Sequence, residues 1–400
     1  MCDGEKFSSV IDFGKNPLVN SLIEANDLEK TEPVYPLKVK QCNKCSLVQI
    51  VDVIDSHKIY RDQDYLYYSG DMPKLNEYFM AYADDLLHRF LQNGEVKPLV
   101  VEIGSNDGIM LRMFPHCKTL GVDPATNVVV RALKRGTETI SDFFTHRLAR
   151  TIKQEFGQAK VIYGNNCIAH IDNLRDLMAG VKELLLPDGV FVVECNYWGG
   201  MVKNKNYALI YHDHFSYFTL KNWMDFSANY GLKVFDAWVT PAQGGSLRVF
   251  MSAHDYPQTD RFKALLKEEI DTDLASNKTS RAYAKAVKQE ALALNKLITD
   301  LRSQGKKVAG YGAAAKGFSV LKLANLDKQH IDYFVDDSPA KQGKYTPVTH
   351  IPVISREKAQ SQLPDYFFIT APNYEGIIIG KEQEFHDKGG RFITVDCRVI

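Results

Sequence analysis

The 400-residue chain has no excess of charge and no long apolar run. Its 49 Lys and Arg residues balance its 49 Asp and Glu residues, so the net charge is zero. Because a nucleic-acid-binding protein needs a basic face, this balance argues against that class. No apolar run approaches the ~18 residues of a membrane span. The start, "MCDGEKFSSV", has neither the basic nor the apolar region of a signal peptide. We therefore expect a cytoplasmic protein that binds neither nucleic acid nor a membrane.

Cysteine is scarce, with seven residues in the chain, and disulfides are not expected in the reducing cytoplasm. In "CNKC", the thiolates of Cys42 and Cys45 on one tight turn suit a tetrahedral zinc ion, and a structural zinc site needs four ligands. Cys2 offers a third ligand and His57 is a candidate for the fourth. A Cys-x-x-Cys partner for Cys2 would lie before Met1. A zinc knuckle and a metal-free remnant of one, held by its own packing, both stay open.

The region from 98 to 250 alternates short apolar runs with helix-like segments. The runs in "PLVVEIGSNDG", "TLGVDPA", "AKVIYGNNCIAHI" and "GVFVVECNYW" are predicted to be strands, and each ends in polar residues. Such alternation predicts a doubly wound parallel sheet. Ligands of these sheets bind beyond the carboxyl ends of the strands, where the polar residues of this region lie.

The first turn of this sheet lacks the G-x-G-x-x-G pattern. It is "EIGSNDG", whose Glu102 and Asp107 would repel a pyrophosphate. Asp123, at the end of the second strand, is placed to bind a ribose diol. This pattern is typical of S-adenosylmethionine binding and counts against a dehydrogenase that uses NAD. The predicted cofactor-binding residues lie at the strand ends and are Glu102, Gly104, Asn106, Asp107, Asp123, Asp142, Phe143, Gly164, Asn165 and Asn166.

Residues 300–400 repeat the strand and helix pattern. The strand "KVAGYG" leads into the loop "GYGAAAKG", whose small residues, helix start and Lys316 suit a phosphate group. A second Rossmann-like domain that binds a phosphate-bearing ligand is therefore predicted, and residues 258–300 are predicted to be a long linking helix. The predicted substrate-binding residues are Gly312, Ala314, Lys316, Gly317, Asp337, Lys341, Gly343 and Asn373.

Nearly the whole chain resembles one known family, the S-adenosylmethionine-dependent nucleotide-sugar C-methyltransferases. The resemblance rests on segments in the same order, including "FGKNPLVNSL", "YPLKVKQCNKCSLVQI", "YLYYSG", "VEIGSNDG", "GNNCIAHI", "LIYHDHFSYFTL", "GGSLRVF", "GYGAAAKG" and "DDSPAKQGKYTPVTHIPV". It implies an α/β fold with a zinc-knuckle-like domain at 1–60 and a class I methyltransferase Rossmann domain at 61–255, with a helical lead-in at 61–97. A Rossmann-like nucleotide-sugar domain is expected at 256–400.

The resemblance also implies an activity. Members of the family methylate a ring carbon of nucleotide-linked 4-keto-6-deoxy sugars, usually C-3 and in some cases C-5. The 4-keto group acidifies the neighbouring C–H, so a base of near-neutral pKa can form an enolate that takes the methyl group from S-adenosylmethionine. The expected nucleotide is dTDP, with GDP and CDP left open.

The family motif Tyr-His-Glu-His corresponds to "YHDH" in this chain. The resemblance gives the base role to its last histidine, and Asp213 stands where the family has Glu, which shortens the reach of the carboxylate by one methylene. His212 is expected to be structural. By resemblance, the catalytic set is His214, Tyr211, Asp213, with His170 near the keto oxygen and Tyr65 and Tyr68 lining the sugar pocket.

Two other interpretations of this motif are open. Alternate residues of a strand share a face, so His212 and His214 could bind a metal together, although no third ligand is close in sequence. The change at Asp213 and the incomplete cysteine set also fit a binding protein that has lost its catalytic activity.

Overall fold

A computed structural model describes residues 1–19, 21–61, 65, 67–91, 97–313 and 315–400. Ala314, a predicted substrate-binding residue, lies outside the described residues. No helix within these ranges is long and apolar enough to cross a membrane.

The elements of the first part of the chain are β1 (Phe7–Asn16), β2 (Tyr35–Cys42), β3 (Val48–Ile50), α1 (Ser56–Tyr60) and α2 (Pro73–Phe90). Those of the middle part are β4 (Leu99–Ile103), β5 (Lys118–Val122), α3 (Thr126–Lys134), β6 (Thr139–Ile140), α4 (His146–Phe156), β7 (Ala159–Asn165), α5 (Leu174–Leu184), β8 (Leu185–Asn196), α6 (Trp198–Asn204), β9 (Ser216–Tyr217), α7 (Leu220–Ala228), β10 (Lys233–Thr240) and β11 (Ser246–Ser252). Those of the last part are α8 (Asp260–Asp271), α9 (Asn277–Ser303), β12 (Val308–Tyr311), α10 (Ala315–Leu323), β13 (Phe334–Val335), β14 (Val353–Ile354), α11 (Arg356–Ala359), β15 (Tyr366–Ile369), α12 (Glu375–Lys381), α13 (Gln383–Asp387) and β16 (Arg391–Ile393).

The central sheet has seven strands in the order β10-β11-β8-β7-β4-β5-β6. The pairs from β8 to β6 are parallel, whereas β11 pairs antiparallel with both β8 and β10. This confirms the predicted α/β class and the doubly wound sheet. All polar strand ends named above therefore lie along one edge.

Strand β4 shows why this sheet is buried on both faces. Its five residues are all buried, as expected for a parallel strand covered by helices on both sides. Val100 packs in a cluster with Leu86 of α2, whereas Val101 packs in the main core with Leu177 of α5. Successive residues of one strand thus support opposite layers.

Two smaller sheets flank the central one. The first has the order β1-β2-β3-β9. Its fourth strand, β9, comes from the middle part of the chain and pairs with β3 of the N-terminal part. The second has five strands, β14-β13-β12-β15-β16, all parallel, and confirms the second Rossmann-like sheet.

The predicted long helix at 258–300 is wrong in one respect, because the structure has two helices, α8 and α9, in its place. The chain breaks where Asp273 takes a left-handed conformation, with φ of 50°. Ser276 then caps α9 by accepting a hydrogen bond from the amide of Thr279.

Candidate active site

The turn after β4 is held by the carboxylate at the end of β5. Asp123 accepts hydrogen bonds from the amides of Asn106 and Ala125, both at 2.9 Å. Burial nevertheless raises the pKa of Asp123 to about 6. Gly104 and Asn106 are both left-handed, with φ of 67° and 49°, so the chain reverses sharply above the sheet edge.

The other acidic residues of this edge have protein partners. The Tyr163 phenol donates to Glu102 at 3.2 Å, and burial raises the pKa of Glu102 well above its usual range. Asp107 is fully buried and accepts from Arg135 at 2.5 Å. Asp142 pairs with Arg61 at 2.8 Å. These contacts fix the carboxylates without using all of their acceptor positions.

The remaining predicted cofactor residues lie beside this turn. The amide of Phe143 donates to Asp142 at 2.8 Å, and its ring lies 4.9 Å from that of His57. Gly164 and Asn165 end β7, and Asn166, with φ of 54°, follows them.

Two unpaired polar atoms test whether this edge fits S-adenosylmethionine. The buried Oδ1 of Asn165 and Oγ of Ser105 have no hydrogen-bond partner among the residues described. A buried acceptor without a partner is costly, and the ammonium and hydroxyl groups of the cofactor are suitable donors. Together with Asp123, these atoms fit a ligand that carries hydroxyls and an ammonium.

Tyr65 and residues 67–70 lie beside this edge. The amide of Ser69 donates to Asn106, and the Asn127 side chain binds both the main chain of Tyr65 and the phenol of Tyr68. The Tyr68 ring lies under Arg131 at 4.4 Å. Tyr68 therefore faces α3, whereas Tyr65 approaches the histidines described next.

His214 is buried with both ring nitrogens engaged. Its Nδ1 donates to the main-chain oxygen of Leu209 at 2.7 Å, because a carbonyl can only accept. The side-chain NH2 group of Asn196 lies 3.0 Å from the same nitrogen, but it is also a donor, so the shorter contact with the Leu209 carbonyl decides the tautomer. Nε2 then accepts from the phenol of Tyr211 at 2.9 Å. Burial, followed by the neighbouring His170, lowers the pKa of His214 well below its usual range. The arrangement presents a neutral imidazole with its lone pair at Nε2.

His170 lies edge-on to His214, with ring centroids 4.8 Å apart. The two are brought together by the main chain, since the amide of Phe215 donates to the oxygen of Ala169 at 2.7 Å. Burial lowers the pKa of His170 to about 4. Its Nδ1 is hydrogen-bonded to the phenol of Tyr60.

Asp213 is buried beside a group of tyrosines. Burial raises its pKa to about 7, and its Oδ1 has no hydrogen-bond partner in the described part of the chain. Burial and then the Asp213 charge raise the pKa of Tyr60, Tyr65 and Tyr211. Asp213 thus lies close enough to these phenols to act on the same pocket.

The neighbouring His212 has a different environment. It is fully buried, and its Nε2 lies 3.3 and 3.2 Å from the main-chain oxygens of Tyr35 and Pro36. The partners of His212 are in β2, whereas Leu209 and Tyr211, which contact His214, lie in the loop 205–215 between α6 and β9. His212 therefore links this loop to the N-terminal sheet.

The last domain reaches the same pocket through α10. Lys316 donates to Oε1 of Gln243 at 2.9 Å, and the same oxygen accepts from Asn373 at 3.2 Å. Ser319 donates to the main-chain oxygen of Ile210, in the loop that carries His214. Burial lowers the pKa of Lys316 to about 8, and its charge also lowers the pKa of His214. The predicted phosphate-binding lysine and the predicted base are thus neighbours.

The other predicted substrate residues are spread along this domain. Gly312, with φ of 88°, and Gly317 allow close approach of the chain around Thr370, because a Cβ at Gly317 would lie 2.9 Å from that residue. Lys341 donates to the main-chain oxygen of Ala313 at 3.0 Å. Asp337 pairs with Lys381 at 2.6 Å, and Gly343 has φ of 84°.

The three cysteines of the N-terminal part converge. The sulfur atoms of Cys2, Cys42 and Cys45 all lie within 4.8 Å of one another. Burial raises the pKa of Cys42, but the amides of Cys45 and Lys44 outweigh it and lower the pKa overall. Zn–S bonds of ~2.3 Å in a tetrahedron place sulfurs somewhat under 4 Å apart, so three thiolates suit zinc. No fourth Cys, His, Asp or Glu in the described ranges joins this group.

Sequence reasoning missed three polar residues of this site. Tyr60 lies in the N-terminal part, Asn196 ends β8, and Gln243 lies in the turn between β10 and β11. The strand-end rule that selected Asn165 also applies to Asn196. Gln243 has φ of 52°, and nothing in the local sequence links it to Lys316.

Three family models match successive parts of the chain. They are "Putative zinc binding domain" at residues 1–60, "Methyltransferase domain" at 75–237 and "C-methyltransferase C-terminal domain" at 241–395. C-methyltransferase NovU of Streptomyces niveus is 35% identical over 399 residues, which cover 98% of this chain and 94% of NovU.

Two solved structures illustrate more distant similarity. The CcbJ methyltransferase from Streptomyces caelestis has 13% identity and a TM-score of 0.34, over 44% of this chain and 90% of that chain. The PH0226 protein from Pyrococcus horikoshii OT3 has 10% identity and a TM-score of 0.36, over 49% of this chain and 97% of that chain. At these TM-scores neither bears on function.

Proposed function

This chain belongs to the S-adenosylmethionine-dependent C-methyltransferases, and we propose that it methylates a ring carbon of a nucleotide-linked 4-keto-6-deoxy sugar. The proposed carbon is C-3, which lies beside the keto group. The observation that carries the proposal is the neutral, buried imidazole of His214, whose Nε2 lone pair is directed at the phenol of Tyr211.

Methylation of carbon requires a nucleophilic carbon, and His214 is suited to generate it. Nε2 takes the proton from C-3, the C–H electron pair forms a C-3=C-4 bond, and the carbonyl π pair moves to O-4. His214 is then protonated on both nitrogens, with Nδ1–H still held by the Leu209 oxygen. Asp213 precedes His214 in the chain and its charge acts on Tyr211, whose phenol contacts Nε2 of His214, and we assign its ionised carboxylate the role of favouring the imidazolium that this step creates.

The oxyanion on O-4 needs a hydrogen-bond donor in a dry site. His170 is the nearest imidazole to His214, at 4.8 Å between ring centroids, and it is neutral at neutral pH because burial lowers its pKa to about 4. We assign it this role. Tyr65, whose ring lies 5.4 Å from that of Tyr60, completes this side of the pocket.

When bound, S-adenosylmethionine supplies an electrophilic methyl group on a sulfonium. Asp123 and Asn165 at the strand ends, with the turn at Gly104, are the residues proposed to hold its hydroxyl and ammonium groups. Their positions at one sheet edge and the unpaired Oδ1 of Asn165 support this assignment.

We also propose that the three parts of the chain have different roles. Residues 1–60 form the zinc-knuckle-like unit, 61–255 bind the cofactor and perform the chemistry, and 256–400 bind the nucleotide diphosphate. The contact of Lys316 with Gln243 supports a phosphate site close to the base. The proposed nucleotide is dTDP, with GDP and CDP as the substrates to compare.

The test is incubation of the protein with S-adenosylmethionine and a dTDP-4-keto-6-deoxy sugar in deuterated water. Mass spectrometry should show one added methyl group, and NMR should place it on C-3. If NMR instead places the methyl group on C-5, the enzyme methylates the carbon on the other side of the keto group. Deuterium at C-3 without methyl transfer would indicate an isomerase-like activity, and neither event would favour a binding protein. Parallel reactions with GDP and CDP sugars identify the nucleotide.

A further inference from the structure

Tyr60 lies at the end of α1, far from the loop 205–215 in sequence, and is not part of the predicted site. It is buried, and its phenol is hydrogen-bonded to Nδ1 of His170, 110 positions further along the chain. Its ring also packs against Tyr65 at 5.4 Å. The N-terminal part therefore contributes a polar group that touches an active-site histidine.

This contact determines which nitrogen of His170 carries the proton. Burial keeps His170 neutral and keeps the phenol of Tyr60 protonated. A neutral imidazole has one donor and one acceptor nitrogen. If Nδ1 donated, the buried phenol hydrogen would have no acceptor among the described groups. If Tyr60 donates, Nδ1 accepts and Nε2 carries the hydrogen, and both groups are satisfied.

The partner of His214 selects the opposite tautomer. Its Nδ1 lies 2.7 Å from the main-chain oxygen of Leu209, which can only accept, and this contact is shorter than the 3.0 Å to the NH2 group of Asn196, so Nδ1 carries the hydrogen and Nε2 has the lone pair. His170 and His214 thus differ in the group that contacts Nδ1, which is the Tyr60 hydroxyl for His170 and the Leu209 carbonyl for His214. No described group hydrogen-bonds Nε2 of His170, so its N–H is available to a ligand.

We infer that Tyr60 is a positioning residue that holds His170 in its Nε2–H tautomer, so that His170 donates to the substrate oxygen while His214 accepts the proton. The inference rests on the proposed function for the identity of that oxygen. In the reaction, the proton of C-3 moves to His214, the C–H pair becomes the C-3=C-4 bond, and O-4 gains the negative charge. The N–H of His170 hydrogen-bonds O-4 and is not transferred.

The experiment is nitrogen NMR of full-length protein labelled with ¹⁵N-histidine, without substrate. A His170→Gln variant assigns the His170 signals. We expect wild-type His170 to show a protonated Nε2 and an unprotonated Nδ1, and Tyr60→Phe to show a mixture of tautomers. Tyr207→Phe is the matched control, since Tyr207 is a buried tyrosine whose hydroxyl has no partner in the described chain.

Kinetics give the second readout. Tyr60→Phe should lower kcat roughly tenfold, less than the roughly 10²–10³-fold cost of removing a whole oxyanion donor, with the KM for the sugar unchanged. Exchange of C-3 hydrogen without the cofactor should fall in parallel. A wild-type His170 protonated on Nδ1, or a Tyr60→Phe variant with the wild-type tautomer and rate, would overturn the inference.

The two proposals fail in distinguishable ways. If no 4-keto sugar is turned over by the wild-type protein, the proposed function is wrong, but the tautomer measurement still stands. If Tyr60→Phe does not fold, the wild-type spectrum alone decides, because an Nδ1–H signal for His170 contradicts the inference without any variant.

Discussion

The Tyr211 phenol donates to Nε2 of His214 across 2.9 Å, and the two rings lie 4.0 Å apart. In the resting protein, the lone pair proposed to accept the substrate proton is therefore already hydrogen-bonded. A sugar that enters the pocket must displace this phenol from Nε2 or share it. Tyr211 keeps the base neutral and oriented until then.

Replacing His214 with Ala should lower kcat by roughly 10²–10⁴-fold, the contribution of a positioned general base. Binding of S-adenosylmethionine, measured by calorimetry, should not change. Tyr211→Phe is the matched control, because it keeps the imidazole and removes one hydrogen bond, and it should lower kcat only about fivefold. A His214→Ala protein that keeps most of its activity would contradict the assignment of the base.

Replacing Asp123 with Asn should weaken S-adenosylmethionine binding by about 1.5–3 kcal/mol, the cost of losing charge-assisted hydrogen bonds. The substitution keeps the size of the side chain but leaves only one oxygen to accept from the amides of Asn106 and Ala125, so a thermal melt of the variant must accompany the binding measurement. Calorimetric titration with the cofactor measures the effect. Asp188→Asn, which changes an exposed carboxylate paired with Lys160, should bind normally. Equal affinity in the two variants would refute the ribose role.

The fold was largely predictable because its strands end in polar residues. The runs around Val101 and Ile162 are apolar, and a parallel sheet buried on both faces requires this. The break between α8 and α9 falls in "TDLAS", whose Asp273 and Ser276 are helix-capping residue types, and it was overlooked because the segments on either side are rich in Lys, Glu and Ala. A left-handed Asp273 costs little enough that composition alone does not reveal it.

The site was predictable only where resemblance supplied a motif. His214 and His170 follow from quoted segments, but Tyr60 has no motif around it and reaches His170 through tertiary packing. Gln243 is hidden for the same reason, because its partner Lys316 lies in another domain. Contacts between distant segments leave no periodic pattern in a single sequence.

The reaction rate should rise with pH through about 7, where burial places the pKa of Asp213. Below that pH the carboxyl is protonated and cannot stabilise the His214 imidazolium. His214 itself does not produce this limb, because burial keeps its pKa well below the usual range. The plot of kcat against pH should lose this rise in Asp213→Asn and keep it in Asp213→Glu. If kcat of Asp213→Asn still rises with pH as it does in the wild type, Asp213 is not the group responsible.

Zinc should be present in the purified protein and depend on the N-terminal cysteines. Cys45→Ser should remove the metal, measured by plasma mass spectrometry, because its sulfur is within 4.8 Å of the other two. A loss of about 2 kcal/mol would lower Tm by roughly 2–3 °C for cooperative unfolding of a chain of this length. Cys397→Ser is the control, since this thiol lies outside the group of three. Full zinc content in Cys45→Ser would rule out this cysteine as a ligand.

Lys316 should bind the diphosphate of the sugar nucleotide. Lys316→Ala should raise the KM for the sugar by about 10–150-fold, equivalent to the ~1.5–3 kcal/mol of a hydrogen bond to a charged group. Lys322→Ala, on the exposed side of the same helix, should leave KM unchanged. Calorimetry should show the same S-adenosylmethionine affinity in all three proteins.

The pH dependence separates a phosphate-binding lysine from one that only supports the fold. Burial lowers the pKa of Lys316 to about 8, so the free protein loses this positive charge as pH rises above that value. The wild-type KM should therefore increase above about pH 8, and Lys316→Arg should not show the increase because arginine stays charged. Gln243→Ala releases Lys316 from its hydrogen bond and should raise KM about fivefold at neutral pH. If Lys316→Ala and wild type have the same KM at every pH, the phosphate site lies elsewhere in the last domain.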